Sequence, residues 1–142
     1  MSREHALTQL GQKGILMRHG KCLIIEDAAQ PGRWDLPGGR VEVNERLDDA
    51  FRREIKEELG FDKFIALGIV DYAMISRKEN PSICLVAQLI KNDSDPIMLS
   101  PEHSAYRWIS LEELHAYQFC WDAMKQMVQK GFEYSKLLSN AG

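Results

Sequence analysis

The sequence contains no apolar segment of the length that crosses a membrane. Nowhere in its 142 residues is there a run that approaches the roughly 18 apolar residues of a spanning helix. The first residues, MSREHALTQLGQ, also lack the apolar stretch of a secretory signal peptide. We therefore expect a cytoplasmic chain that does not interact with membranes.

Cysteine and clustered basic residues are scarce as well. Cys22, Cys84 and Cys120 are widely spaced in apolar segments, a pattern that predicts reduced core residues rather than disulfides or a metal site. The net charge is −3 and the longest basic cluster is the pair at 52–53. Nucleic-acid-binding proteins usually carry a basic patch or stripe, so we expect no dedicated nucleic-acid surface.

Length and composition predict one globular domain over residues 1–142, because 44% of the residues are hydrophobic and the chain is long enough to enclose a full core. No internal repeat or low-complexity run interrupts it. The sequence does not decide between a monomer and a homodimer.

Acidic residues concentrate in the stretch 39–61, GRVEVNERLDDAFRREIKEELGF. In a helical projection its apolar residues share one face, namely Leu47, Ala50, Phe51, Ile55 and Leu59. Glu54 and Glu58 fall inside this apolar arc, and Glu57 lies at its edge. An unpaired buried carboxylate costs several kcal/mol, so these side chains require a partner.

Two kinds of partner are consistent with this acidic face. Glu54, Glu57 and Glu58 are spaced i, i+3 and i+4, so they repel one another, and a divalent cation would relieve that repulsion. An all-oxygen ligand set without nearby Cys or His favours Mg²⁺ or Mn²⁺ over zinc. The alternative is a structural ion-pair network, because Arg53 lies four residues before Glu57 and other arginines are close.

The residues around the stretch define its local structure. Asn44 is the expected N-cap and Gly60 the expected C-terminal stop, which predicts a helix from about Glu45 to Leu59. The preceding segment 34–39, WDLPGG, predicts a turn that allows the backbone to approach a ligand closely.

The stretch 39–61 resembles the signature of the Nudix hydrolase family: Gly, five residues, Glu, seven residues, then Arg-Glu-apolar-any-Glu-Glu-any-Gly-apolar. All fixed positions of that signature are matched here, by Gly39, Glu45, Arg53, Glu54, Ile55, Glu57, Glu58, Gly60 and Phe61. The WDLPGG segment and the spacing of later segments are also similar to the family, so the resemblance extends over most of the chain.

The resemblance implies a metal-dependent pyrophosphohydrolase that uses Mg²⁺ or Mn²⁺. Such an enzyme cleaves, by water attack on phosphorus, the diphosphate of a nucleoside diphosphate linked to another group. The substrate would be a small-molecule nucleoside triphosphate or nucleotide conjugate. Clustered carboxylates agree with this chemistry, because diphosphate hydrolysis requires neutralised phosphate charge and an oriented water.

Carried onto this sequence, the resemblance implies that Glu54, Glu57, Glu58 and the carbonyl of Gly38 are metal ligands. Glu54 or Glu57 is also a candidate catalytic base, and the two are too strongly coupled for sequence alone to assign one of them. Arg53 is expected to orient a glutamate rather than to contact substrate.

Many family members take a further acid from a distant loop. Glu102, shortly before a predicted strand at 106–109, is the candidate here, either as metal ligand or base or simply as an exposed loop acid. The adjacent His103 is expected at the surface.

The remaining pattern predicts an α/β fold. Predicted strands cover 14–19, 21–26, 64–76, 82–90 and 106–109. The segment 77–81 is predicted as a turn, and the capping box 110–113 is expected to open a helix. A helical pattern around Trp121 is expected to stop near Gly131. Together these elements predict the Nudix-type α/β/α sandwich, a mixed β-sheet between helices.

The sequence says little about the substrate. Residues that could stack on a base, although such aromatic side chains more often belong to the core, are Trp34, Tyr72, Trp108 and Phe119. One alternative function is a nucleotide-sensing module that does not cleave, although the chain keeps all four glutamates of the signature. Another is an enzyme like isopentenyl diphosphate isomerase, which would need a catalytic cysteine in a loop ahead of the signature. Cys22 is instead predicted to lie inside an apolar strand.

Overall fold

A computed structural model describes residues 3–78 and 81–141. The elements in chain order are β1 Thr8–Arg18, β2 Lys21–Asp27, β3 Arg33–Asp35, β4 Gly38–Arg40, α1 Leu47–Leu59, β5 Ile65–Ile75, β6 Ser82–Lys91, β7 His103–Ile109, a 3-10 helix Leu114–Ala116, β8 Gln118–Phe119 and α2 Ala123–Ala141. Neither helix in these ranges has the length and apolarity needed to cross a lipid bilayer.

Strand β1 is the centre of a mixed sheet. It pairs in parallel with β6, from Thr8 opposite Ser82 to Leu16 opposite Ile90, and antiparallel with the short β4. The main strand order is β5-β6-β1-β2-β3-β8, with β7 paired to β2. This arrangement brings the glycine turn at the start of β4 beside the middle of β1.

Two apolar layers cover the two faces of the sheet. Because side chains alternate along a strand, Ile15 belongs to the core under α2, whereas its neighbour Leu16 belongs to the core under α1. Met124 and Val128 of α2 close the first layer, and Ile55 of α1 contributes to the second. The α/β/α sandwich predicted from the sequence is therefore confirmed.

The start of α1 differs from the prediction. The helix begins at Leu47 rather than at Glu45, and its N-cap position is Arg46. Asn44 instead has a left-handed backbone, with φ of 68°, in a turn where Glu45 Oε1 accepts the N–H of Glu42 at 2.8 Å. The Glu45 side chain closes this turn, so the helix begins only after it, at Leu47. Gly60 ends α1 as expected, with φ of 89°.

The C-terminal third also differs from the prediction. The capping box forms, with the Ser110 N–H donating to Glu113 Oε1 at 3.0 Å, but only the 3-10 helix follows it. Helix α2 then passes through Gly131 without stopping. A Cβ at Gly131 would lie 2.7 Å from Ile15 Cγ2, so this glycine allows the helix to approach β1 closely.

The predicted long strands are found, with longer bounds for β1 and β7. β1 starts at Thr8 because its polar first residues pair with β6, and β7 starts at His103. The WDLPGG segment, predicted only as a turn, contributes β3 and part of β4. The predicted turn at 77–81 lies partly outside the described residues.

Candidate functional site

Two glutamates of α1 contact the glycine turn between β3 and β4. The Gly38 N–H donates to Glu58 Oε2 at 2.8 Å, and the Glu54 carboxylate lies so close to Gly39 that a Cβ there would collide with it. Gly38 has φ of 138°, a conformation that side-chain-bearing residues rarely adopt. The signature glycine and the preceding one therefore permit the contact between turn and helix.

Arg53 organises three acids of the signature. Its guanidinium bridges both oxygens of Glu45 at 2.8 Å and contacts Glu54 at 3.0 Å and Glu57 at 3.3 Å. The hydrogen bonds from Arg53 hold the pKa of Glu45 down at about 2. Arg53 thus contacts glutamates, as expected from the sequence, and the ion-pair network considered as the alternative partner is present as well.

Burial raises the pKa of the two inward-facing glutamates, whereas Arg53 lowers that of Glu45. Glu58 is only 6% exposed, and this desolvation raises its pKa to about 8. Desolvation also raises the pKa of Glu54, although Arg53 opposes the shift. Both carboxylates therefore lie where negative charge is disfavoured unless a cation accompanies it.

A buried ion pair, which sequence reasoning missed, lies beside these glutamates. Lys13 Nζ lies 3.1 Å from Asp35 Oδ1 and donates to the Gly38 carbonyl at 3.3 Å. Burial alone would lower the pKa of Lys13, but Asp35 and Glu58 together raise it. No local sequence signal marks this pair, because Lys13 and Asp35 are brought together only by the pairing of β1 with β4.

A cleft of about 400 Å³ connects these groups, within the range of small-molecule sites. Its walls include the acids Asp35, Glu54, Glu58 and Glu102, the cation Lys13, the turn Gly38–Gly39, and the side chains of Ile83, Leu85 and Trp121. Glu57 lies outside this lining, with a side chain that is 56% exposed. The cleft therefore joins Glu102 to two of the three α1 glutamates, while Glu57 stays near its rim through Arg53.

His103 was expected at the surface, and this expectation is wrong. It is 8% exposed because it starts β7, which packs against β2. Its Nδ1 is buried without a hydrogen-bond partner among the described residues, and burial lowers its pKa. It shares a hollow with Asp35, Glu58 and Glu102 at the edge of the site.

In the described part of the chain, residues 3–78 and 81–141, the lining of the cleft includes none of the four aromatic residues that were considered for base stacking. Trp34 and Phe119 are buried in the core, Tyr72 is exposed on β5, and Trp108 packs under the guanidinium of Arg18 at 5.2 Å. Trp121, immediately before α2, lines the cleft instead.

Cys22 has no access to a substrate. The side chain is fully buried in β2, and desolvation raises the pKa of its thiol to about 12. A thiol in this environment stays protonated and unreactive. The geometry therefore gives no support to an isomerase that depends on a cysteine at this position.

The donor atoms at the site fit a hard divalent cation. Glu54, Glu58, Glu102 and Gly38 line the same cleft, and their carboxylate and carbonyl oxygens are the kind of ligand that suits Mg²⁺ and Mn²⁺. In the part of the chain that the structure describes, no three acidic, His or Cys side chains converge as a ready-made metal cage. Arg53 and the Gly38 N–H hold two of the carboxylates, so binding would require these side chains to turn.

Comparison with known proteins agrees with the geometry. Residues 12–130 match the NUDIX domain family model. A nucleoside triphosphatase NudI from Salmonella paratyphi B is 35% identical over 117 residues, covering 72% of this chain and 82% of the relative. The E. coli ORF135 protein is 26% identical, with a TM-score of 0.73 over 88% of this chain and 89% of the other. A MutT protein from Methanosarcina mazei Go1, 20% identical, shares the fold with a TM-score of 0.78 over 94% and 99% of the two chains.

Proposed function

Because the chain belongs to the Nudix family and is a Nudix hydrolase, we propose that it is a metal-dependent pyrophosphohydrolase of nucleoside triphosphates. A nucleotide conjugate, with another group on the nucleoside diphosphate, is the second substrate class. The triphosphate is favoured because relatives of about a third sequence identity carry the name nucleoside triphosphatase.

The observation that carries the proposal is the pair of desolvated carboxylates beside the glycine turn. Glu54 and Glu58 face a cleft of nucleotide size, and burial raises the pKa of both groups. Such a site stores unfavourable electrostatic energy that a cation would remove. A structural helix would gain nothing from this arrangement, because exposed acids would serve it equally well.

We assign the metal ligands to Glu54, Glu58 and the carbonyl of Gly38, with Glu57 supplied from the rim. When bound, Mg²⁺ or Mn²⁺ would neutralise diphosphate charge and favour ionisation of the attacking water. Arg53 acts as a positioning residue, since its contacts with Glu54 and Glu57 restrict both side chains.

Proton acceptance from water falls to one of three acids. Glu54 lies in the cleft and burial raises its pKa, the direction that a general base requires. Glu102 lines the same cleft from the loop before β7. Glu57 lies outside the cleft lining and contacts Arg53. Glu54 and Glu57 both contact Arg53, so the titrations of these two acids are coupled.

The test is hydrolysis of a panel of nucleoside triphosphates, nucleotide sugars and dinucleoside polyphosphates with Mg²⁺, Mn²⁺ or EDTA. We expect a nucleoside monophosphate and pyrophosphate from triphosphates, with no turnover in EDTA. Turnover that is unaffected by EDTA would contradict metal dependence. Tight nucleotide binding without hydrolysis of any substrate would instead indicate a sensing module.

A further inference from the structure

The lining of the cleft combines acidic and apolar side chains. Glu54 and Glu58 contribute carboxylates beside the glycine turn, and Ile83, Leu85 and Trp121 contribute apolar surface. Gly11 leaves room beside Leu85, because a Cβ at that position would lie only 3.1 Å from Leu85 Cδ1. If the carboxylates receive the phosphates through a metal ion, the apolar side chains provide the surfaces on which the flat ring of a base packs.

The Lys13–Asp35 pair lies on the wall of the same cleft and has unused hydrogen-bonding capacity. Lys13 Nζ contacts Asp35 Oδ1 and donates a hydrogen bond to the Gly38 carbonyl, which uses two of its three N–H groups. Asp35 Oδ1 also accepts the Leu36 N–H at 2.7 Å. In the ranges 3–78 and 81–141, no residue donates to Asp35 Oδ2. Among the described residues, one ammonium N–H of Lys13 and Oδ2 of Asp35 therefore have no protein partner, and both residues line the cleft.

Stability alone does not explain this pair. Lys13 is 7% exposed and Asp35 19% exposed in their side chains, and replacing such a pair by apolar residues is often neutral or stabilising. An ammonium group can only donate, and an ionised carboxylate can only accept. A ligand that satisfies both must present an acceptor directly beside a donor.

We propose that Lys13 and Asp35 determine base specificity by binding the lactam edge of the substrate base, while Trp121 contacts its face. The exocyclic carbonyl accepts from Lys13, and the neighbouring ring N–H donates to Asp35 Oδ2. Guanine, hypoxanthine, uracil and thymine present this edge. Adenine and cytosine also present an acceptor beside a donor, but their donor is an exocyclic amino group. The carboxylate of Asp35 favours the lactam edge, because the ring N–H of a lactam is more acidic than an amino N–H and makes the stronger charge-assisted bond.

This inference rests on the proposed function and is tested with substrates that differ at this edge. UTP against CTP and ITP against ATP are the matched pairs. We expect kcat/KM to be at least ~10-fold higher for UTP and ITP, the discrimination that a good two-point contact provides. Binding of UMP and CMP, measured by calorimetry in EDTA, should show the same order without turnover.

Two variants locate the effect in the pair. Asp35→Asn should bring both ratios close to one, because an amide can donate as well as accept. The double variant Lys13→Met with Asp35→Leu leaves no unpaired charge, and it should lose the preference while keeping its melting temperature. The matched control is Lys130→Met with Asp71→Leu, a Lys–Asp pair at 3.3 Å outside the cleft, which should retain both ratios.

The outcomes separate the two proposals. Hydrolysis at equal kcat/KM within each pair, or a preference for CTP and ATP, would overturn the base-specificity inference and leave the proposed function intact. A preference that survives in Asp35→Asn would remove the assignment to this pair. Failure to hydrolyse any nucleotide would overturn both.

Discussion

The Gly38 N–H donates a hydrogen bond of 2.8 Å to the carboxylate of Glu58 and so joins the glycine turn to the last turn of α1. This bond compensates only part of the desolvation, since the pKa of Glu58 remains near 8. The fold therefore holds the Glu58 side chain in place and at the same time disfavours its ionised form.

In metal-free buffer, we expect the free energy of unfolding to fall as the pH rises from about 4.5 to about 8. In this window the folded protein holds a proton on Glu58 that the unfolded chain releases, so raising the pH favours unfolding. Below 4.5 both states are protonated at this group, and above 8 both are ionised. Urea unfolding in EDTA at several pH values measures the slope.

The dependence of the unfolding free energy on pH should become weaker in Glu58→Gln. Glu57 is exposed, so Glu57→Gln should leave this dependence unchanged. The lowered pKa of Glu45 acts in a separate window, because the stability that this group provides is lost only as the pH falls from 4.5 towards 2. Identical pH profiles for the wild type and Glu58→Gln would show that Glu58 is not the group responsible.

Changing both Glu54 and Glu58 to Gln should separate function from stability. We expect the double variant to melt in EDTA at the same or a higher temperature than the wild type, because the amides carry no ionisable group whose charged form is disfavoured by burial. It should also be inactive and lose the Mg²⁺-dependent rise in melting temperature. Strong destabilisation in EDTA would show that the ion pairs with Arg53 are the main role of these acids.

Glu57→Gln is expected to lower turnover by at least ~10²-fold with little change in fold, because a ligand charge that stabilises the transition state is lost. Steady-state rates at saturating Mg²⁺ provide the measurement. Glu133→Gln, an exposed acid on α2, is the control and should keep wild-type rates. Near-normal turnover of Glu57→Gln would return this residue to a purely structural pairing with Arg53.

Glu102→Gln distinguishes a base from an outer participant. A loss equal to that of Glu57→Gln is expected if Glu102 accepts the proton from water, and a smaller loss if it only supports the site. The dependence of kcat on pH should be recorded alongside. Wild-type activity would make Glu102 a simple loop acid, and the base would then lie in α1.

Gly39→Ala should impair activity more than stability. The new methyl group would displace the Glu54 carboxylate, and the backbone of Gly39 is not in the left-handed region. We expect kcat to fall by ~10-fold or more, because small displacements of catalytic groups have large effects. Thermal unfolding should change by only a few degrees. Unaltered kcat would mean that Glu54 has room to move without consequence.

The inward direction of Glu54 and Glu58 could be predicted from the sequence because helical geometry links spacing to face. The Lys13–Asp35 pair could not be predicted, since it depends on β1 and the β3–β4 turn meeting in the folded sheet. The burial of His103 likewise follows from the pairing of β7 with β2. Both features depend on pairing between strands that are distant in sequence, which the local pattern of residues does not reveal.

Glycines show the same limit. Gly60 ends its helix as local propensity predicts, but Gly131 lies within a helix that continues for ten more residues to Ala141. At Gly131 the space available next to Ile15, rather than the backbone, selects the residue. The local sequence contains no sign of that neighbour, so the predicted stop was wrong.

The parallel pairing of β1 with β6 has a consequence for how the chain acquires its structure. These strands are roughly seventy residues apart in sequence, so a large loop must close before they can pair, and folds dominated by such distant contacts form slowly. A nascent chain that has emerged only as far as Phe61 holds the complete signature but lacks β6, the strand that pairs in parallel with β1. The signature would therefore gain its ordered geometry late in synthesis, as a product of the whole sheet rather than as an autonomous unit.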